Sequence, residues 1–179
     1  TYFEKNEKGQ FDFYGTGWSK ETHPAYGGTV VSKAEVLKKY KFAICFENSQ
    51  KLPGYITEKI LDCFTSGIVP IYAGAPNVKQ YIPENTFIDY FQFETLEELD
   101  NFLKGITEKE YQNYLQTADE FLKSSGIEIF MGKQYAECIY ELTKCQKEFC
   151  VKRTDFLKLC MKNRIIRLKK NIKQILVYS

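Results

Sequence analysis

An α/β fold built on a parallel sheet is what the amino-acid sequence predicts for its first half. Residues 40–46 and 68–72 are short apolar runs with the composition of strands buried in a parallel sheet. Between them lie a polar loop and a helical pattern, Ile60, Leu61, Cys63 and Phe64. Strand, helix and strand at this spacing make a βαβ unit, which joins parallel strands.

The elements follow in order. Residues 10–15 alternate and predict a short strand, stopped by Gly15, Thr16 and Gly17. Residues 18–28 are irregular, with Pro24 and the pair Gly27-Gly28. A helix over 32–39 leads into the strand at 40–46. Thr57 caps a second helix that runs to about Ser66, and Gly67 closes it. The strand at 68–72 ends in a turn over 73–76, then one helical turn at 78–81 and a strand at 86–89. All five prolines lie at or before Pro83, so the remainder is expected to be mostly helical, over 95–104, 108–124 and 134–147. Tyr135, Cys138, Ile139 and Leu142 fall at the spacing of a core-facing stripe.

Charge divides the chain in two. The net charge is +2, but 151–179 holds nine basic side chains against Asp155 alone, a local +8, which leaves 1–150 at −6. Residues 1–150 are therefore expected to form one binding domain, and a mildly acidic body argues against nucleic acid. Leu157, Met161, Ile165, Leu168, Ile172 and Ile175 share one helical face flanked by basic side chains. A basic amphipathic helix over 153–178 is expected to lie on an anionic membrane surface. The alternative is that its stripe packs on another part of the protein or on a second copy. No aromatic platform is interleaved with the charges, so the tail is not expected to bind nucleic acid.

No run approaches the ~20 apolar residues that span a bilayer, and the start has no signal-peptide pattern. The chain lacks an initiating Met and is expected to be a piece that starts mid-protein. Six cysteines stand at 45, 63, 138, 145, 150 and 160, with no CxxC and His23 as the only histidine, which argues against zinc. Cys45 and Cys63 sit in apolar runs and are expected to be buried free thiols. Cys138, Cys145 and Cys150 allow one disulfide in an oxidising compartment; reduced thiols in a cytosol are the favoured reading.

The polar loop carries the chemistry. Glu47, Asn48 and Ser49 follow one strand, and Tyr55, Thr57, Glu58 and Lys59 open the next helix. In open α/β sheets ligands sit outside the carboxyl ends of strands, at such a loop. A helix start offers unpaired N–H groups and partial positive charge, which suits phosphate, and Lys59 adds a full charge. Neither GxGxxG nor GxxxxGK[ST] is present, so side chains and the helix end are expected to hold the phosphate. Gly74, after the next strand, either lets the backbone approach a ligand or simply makes a turn.

The stretch YKFAICFENSQKLPGYITEKILDCFTSGIVPIYAGAP resembles the donor-binding signature of the α-1,3-fucosyltransferases, glycosyltransferase family 10. That signature is a strand ending in FENS, a short loop, Y-[VI]-T-E-K, then a strand with VPI and a glycine. The similarity runs from about Tyr14 to about Phe121. It implies a Rossmann-like parallel sheet followed by helices, the C-terminal half of a two-domain GT-B glycosyltransferase. It further implies that Lys59 contacts the diphosphate of GDP-fucose, that Glu58 contacts the ribose or sugar, and that Tyr55 lines the nucleotide. Asn48, with Ser49 beside it, orients the loop or hydrogen-bonds the donor; Glu47 contacts the donor or braces the loop.

The family supplies an arginine upstream of FENS, but here no arginine precedes Arg153. Lys33 is the expected stand-in, with Lys20 and His23 behind it, and lysine delivers charge without a bidentate fork. The resemblance implies inverting transfer of L-fucose to a hydroxyl of a glycan acceptor, with no metal and no cofactor besides the donor substrate. The acceptor and the general base are expected on an N-terminal domain outside this sequence, so the catalytic base has no candidate here and the chain alone is expected to be inactive. Alternatives are a non-catalytic nucleotide-sugar-binding or membrane-interaction module, or a transferase for a different nucleotide sugar. The expected location is cytoplasmic, peripheral at the inner membrane face; the alternative is the lumenal side of the Golgi membrane.

Overall fold

A five-stranded sheet organises the computed structural model, which describes residues 2–6, 10–132, 136–137 and 139–141, and the backbone of 175–178. The strands are β1 (Phe11–Tyr14), β2 (Phe42–Phe46), β3 (Val69–Ala73), β4 (Ile88–Asp89) and β5 (Ile175–Tyr178), in the order β1-β5-β2-β3-β4. β2 and β3 are parallel, in register from Phe42↔Val69 to Phe46↔Ala73, and β4 is parallel to β3. β5 is antiparallel to both β1 and β2, so β1 runs in the same sense as β2. The carboxyl ends of β1 to β4 therefore share one edge of the sheet. This is the α/β class expected from the apolar runs, in the Rossmann-like form that the resemblance implies.

The helices that flank the sheet among the described residues are α1 (Tyr2–Asn6), α2 (Lys33–Leu37), α3 (Glu58–Ser66), α4 (Leu96–Gly105) and α5 (Glu108–Lys123). Local chemistry starts them. Ser32, Thr57, Thr95 and Thr107 each accept a backbone N–H in the first turn, and Thr107 forms a full capping box with Glu110. Gly67, at φ 72°, closes α3 in the left-handed conformation that other residues enter at a cost of about 1–2 kcal/mol.

β3 is buried at all five positions, as a central strand must be. Its Pro70 lacks an N–H, and the sheet accommodates it because β4 begins to pair only at Ile71. Alternation sorts β2. Phe42 joins Val69, Ile71 and Ile88 in a core with Phe11 and Phe13 of β1 and Leu99, Leu103 and Tyr111 of α4 and α5. Cys45 contacts Cys63 of α3, and Phe64 of α3 meets the Phe121 ring of α5 at 6.2 Å. Full burial of a side chain such as Leu99, with 0% exposure, contributes about 1.5–3 kcal/mol.

Several expectations are corrected. Of the strand at 86–89 only Ile88–Asp89 pairs; Glu84–Thr86 is a 3₁₀ turn. A short helix at Tyr2–Asn6, unforeseen in a polar start, is seated by Phe3, which stacks on Phe11 at 5.4 Å. Ile139, placed on a core-facing stripe, is 44% exposed. The tail helix does not reach Tyr178, because Ile175–Tyr178 forms β5. Four consecutive apolar residues rich in β-branched and aromatic types favour the pleated backbone, and the open slot between β1 and β2 supplies hydrogen bonds on both sides. Residues 142–174 lie outside the described residues. With them go the rest of the tail, the expected border at 150, and Cys145, Cys150 and Cys160; Cys138 is likewise outside.

By contacts the chain divides into two units, Thr1–Gly126 with Gln174–Ser179, and Ile127–Lys173. The first contains the sheet and helices α1 to α5. Ser125–Phe130 is a 3₁₀ segment, and in the second unit 136–137 and 139–141 are helical.

Candidate functional site

Glu47 is the residue around which the carboxyl edge is built. It follows β2 directly, and its N–H donates to the Ala73 carbonyl at 2.8 Å, extending the ladder by one step. Its carboxylate is fully enclosed, with 0% side-chain exposure. Oε1 accepts the Thr57 N–H at 2.7 Å, and the Thr57 hydroxyl lies 2.9 Å from both oxygens. Lys59 Nζ donates to Oε2 at 3.1 Å and to the Phe46 carbonyl at 2.8 Å. A buried carboxylate is tolerated only when paired and fully hydrogen-bonded, and this one is. Its geometry matches the brace, the second of the two roles weighed for it: it clamps the end of β2 to the start of α3.

That clamp orients Lys59. An ammonium group has three donors, and two are spent inside the protein. Its side chain is 25% exposed, so a third donor remains at the first turn of α3, where the helix dipole already favours an anion. Glu58 is exposed beside it at the first position of α3. Asn48 is exposed, and Ser49 and Tyr55 are half-buried, in the loop between β2 and α3.

Lys33 opens α2 and donates to Asp62 Oδ2 of α3 at 2.7 Å, with side-chain exposures of 31% and 39%. A phosphate would have to share or displace Asp62 to reach it. Of the two residues placed behind Lys33, Lys20 is exposed, and His23 is engaged with Glu4 at 3.2 Å and packed on Trp18 at 4.8 Å.

Gly74 is glycine for an internal reason. A Cβ there would stand 2.2 Å from the Tyr72 hydroxyl and 2.7 Å from Glu47 Cγ. The close approach that the structure shows at this position is to Tyr72 and Glu47. Tyr72 accepts the Ala75 N–H at 3.2 Å, and burial pushes its phenol up to about 12, with the Glu47 charge adding to the effect. Cys45 and Cys63 are buried free thiols as expected, and the contact with Cys63, followed by burial, holds the Cys45 thiol well above its ordinary range. It stays protonated and unreactive.

The sequence reading took Thr57 only as a helix cap and assigned nothing to Tyr72 or Asn77. Thr57 also bonds Glu47 ten residues away, which no local pattern announces. Among the described residues no group of three His, Cys, Asp or Glu stands ready for a metal ion, and no helix is long and apolar enough to cross a membrane.

The chain is 38% identical over 100 residues to the alpha-(1,3)-fucosyltransferase FucT of Helicobacter pylori, covering 52% of this chain and 21% of the relative. It is 39% identical over 67 residues to an alpha-(1,4)-fucosyltransferase of Arabidopsis thaliana, covering 37% and 16%. It is 36% identical over 85 residues to the GDP-fucose protein O-fucosyltransferase 3 of Danio rerio, covering 46% and 18%. The chain thus spans about a fifth of the length of these relatives. The family described as glycosyltransferase family 10 (fucosyltransferase) C-term matches residues 2–163, which takes in the whole of the Glu47–Lys59 clamp, and the chain belongs to that family.

Proposed function

We propose that this chain is the donor-binding half of a fucosyltransferase and holds GDP-fucose at the carboxyl edge of β2 and β3. The observation that carries the reading is Lys59, fixed at the start of α3 by Glu47 and the Phe46 carbonyl with one donor uncommitted. A fixed cation at a helix start is the arrangement a diphosphate requires. The relatives support the donor rather than the acceptor. Their names specify α-(1,3) transfer, α-(1,4) transfer and transfer to protein, so what the matched segment has in common across them is the fucosyl donor.

In this reading transfer inverts the anomeric carbon. An acceptor hydroxyl attacks in line, the glycosidic bond to GDP breaks, and negative charge grows on the β-phosphate. Lys59 and the α3 N-terminus stabilise that charge where it develops, which is electrostatic catalysis. Glu58, exposed beside Lys59, meets the ribose or the sugar, and Tyr55 lines the nucleotide. The proton of the attacking hydroxyl goes to a general base contributed from outside this chain, because Glu47 is sealed and spent. The donor half then pairs with a second domain across the site, in the GT-B manner.

Calorimetric titration of GDP tests the assignment. Lys59→Ala removes a charge-assisted contact of about 1.5–3 kcal/mol, so affinity should fall roughly 10- to 100-fold. Equal affinity of wild type and variant would overturn the reading.

A further inference from the structure

Residues 48–56 cross the carboxyl edge between β2 and α3, with Glu47 and Thr57 fixing the two ends. The middle is held by a different contact. The Gly54 N–H donates to Asn77 Oδ1 at 2.7 Å, and among the described residues this is the one hydrogen bond from 48–56 to another element. The remaining bonds of the loop are internal, from the Tyr55 N–H to the Leu52 carbonyl at 3.2 Å and from the Ile56 N–H to the Gly54 carbonyl at 2.9 Å. Gly54 itself stands at φ 72°, a left-handed reversal that suits glycine.

Asn77 is anchored for this contact. Its Nδ2 donates to Gln80 Oε1 at 3.2 Å, which turns the amide oxygen toward Gly54. The turn that carries it is stiff. The Ala75 N–H is bonded to the Tyr72 phenol, the Val78 N–H donates to the Ala75 carbonyl at 3.1 Å, and Val78 is buried. The loop is therefore tied to an element that cannot follow it. A loop ordered only on binding charges its lost entropy against affinity, whereas one ordered beforehand does not.

We propose that Asn77 is a positioning residue of the donor site: by gripping the Gly54 amide it sets Tyr55, the next residue, where a bound nucleoside diphosphate meets it. The assignment rests on the donor-site reading above. Asn77 touches no part of the donor and acts through the loop alone.

Two substitutions test it in the whole chain. Asn77→Leu keeps the branched outline of the side chain and removes the acceptor; Asn77→Asp keeps an acceptor oxygen, and is assayed at a salt concentration that screens its added charge. GDP binding is measured by calorimetry and the Gly54 amide by hydrogen exchange. Asn77→Leu should bind GDP ~5- to 10-fold more weakly and expose the Gly54 amide to exchange ~10-fold faster, with the unfolding midpoint unchanged. Asn77→Asp should restore both most of the affinity and the protection, a rescue that a purely structural role would not show. Wild-type affinity in Asn77→Leu, unchanged exchange at Gly54, or a lowered midpoint without rescue by Asn77→Asp would each overturn the assignment. Failure of the wild type to bind GDP would remove the donor reading together with this one, and the wild-type titration tells that case apart from failure of the Asn77 assignment alone.

Discussion

Helices α2 and α3 begin alike and hold their lysines in opposite ways. Each has a hydroxyl cap, Ser32 or Thr57, and a lysine in its first turn, Lys33 or Lys59. Lys59 turns back into the protein to a carboxylate with no exposure, and that carboxylate is satisfied again by the Thr57 N–H and hydroxyl. Lys33 reaches sideways to Asp62, and both partners are about one-third exposed. Water reaches both partners of the second pair but not the carboxylate of the first. An exposed pair is worth about 0–1 kcal/mol, while breaking a buried one strands a charge. The first pair is therefore a fixture that aims a cation, and the second is a contact a ligand can exchange at small cost.

Breaking the fixture should produce the largest effect. Glu47→Leu leaves the Thr57 N–H and hydroxyl without their carboxylate acceptor and the Lys59 ammonium with only the Phe46 carbonyl and no counter-charge. The loss should be about 3 kcal/mol, seen as a lower urea midpoint, and GDP binding should disappear with it. The double variant Glu47→Leu with Lys59→Met replaces the pair by apolar groups of similar size. It should recover most of the stability and none of the GDP affinity, because stability needs only a satisfied interior whereas binding needs the charge. A Glu47→Leu protein as stable as wild type would show that the clamp is not built as described.

The wall behind Glu47 gives the next effect. Gly74→Ala drives a methyl group to 2.2 Å from the Tyr72 hydroxyl and 2.7 Å from Glu47 Cγ, so both side chains must give way or the backbone must shift. Overpacking of this kind costs about 1–3 kcal/mol. Displacing Glu47 also displaces Lys59, and GDP affinity should fall along with the thermal midpoint. Loss of stability with intact GDP binding would mean that the clamp does not depend on Gly74.

What the sequence disclosed divides along the same line. Features that a residue makes with its own turn were legible: the cap at Thr57, the closure at Gly67, and the apolar runs of β2 and β3. The order of chemistry along the loop was legible too, because a polar stretch between a buried strand and a helix start has few other uses. Partners far apart in the chain were not. Glu47 meets Thr57 across ten residues, Gly54 meets Asn77 across 23, and Gly74, just past β3, is confined in part by Glu47 beyond the neighbouring strand. The tail misled for a related reason. Its spacing of apolar residues is helical through Ile175, yet the slot between β1 and β2 outweighs that local pattern for Ile175–Tyr178, and tertiary pairing overrides propensity in short strands.

The smallest effect on stability, and the sharpest on the comparison, is expected at Lys33. Lys33→Ala removes an ion pair about one-third exposed, so the unfolding free energy should change by less than about 1 kcal/mol. If Lys33 stands in for the missing arginine, GDP affinity should nevertheless drop roughly 3- to 10-fold while guanosine affinity stays level, since only the diphosphate uses the charge. Asp62→Ala provides the converse. It frees Lys33 from its partner, so GDP should bind more tightly even though an ion pair has been lost. The same change at the fixture, Glu47, is expected to have the opposite sign, because there the carboxylate holds the lysine in place and does not compete for it. Lys33→Ala binding GDP as wild type does, with Asp62→Ala also neutral, would remove Lys33 from the site and leave the exposed Lys20 as the next cation to test.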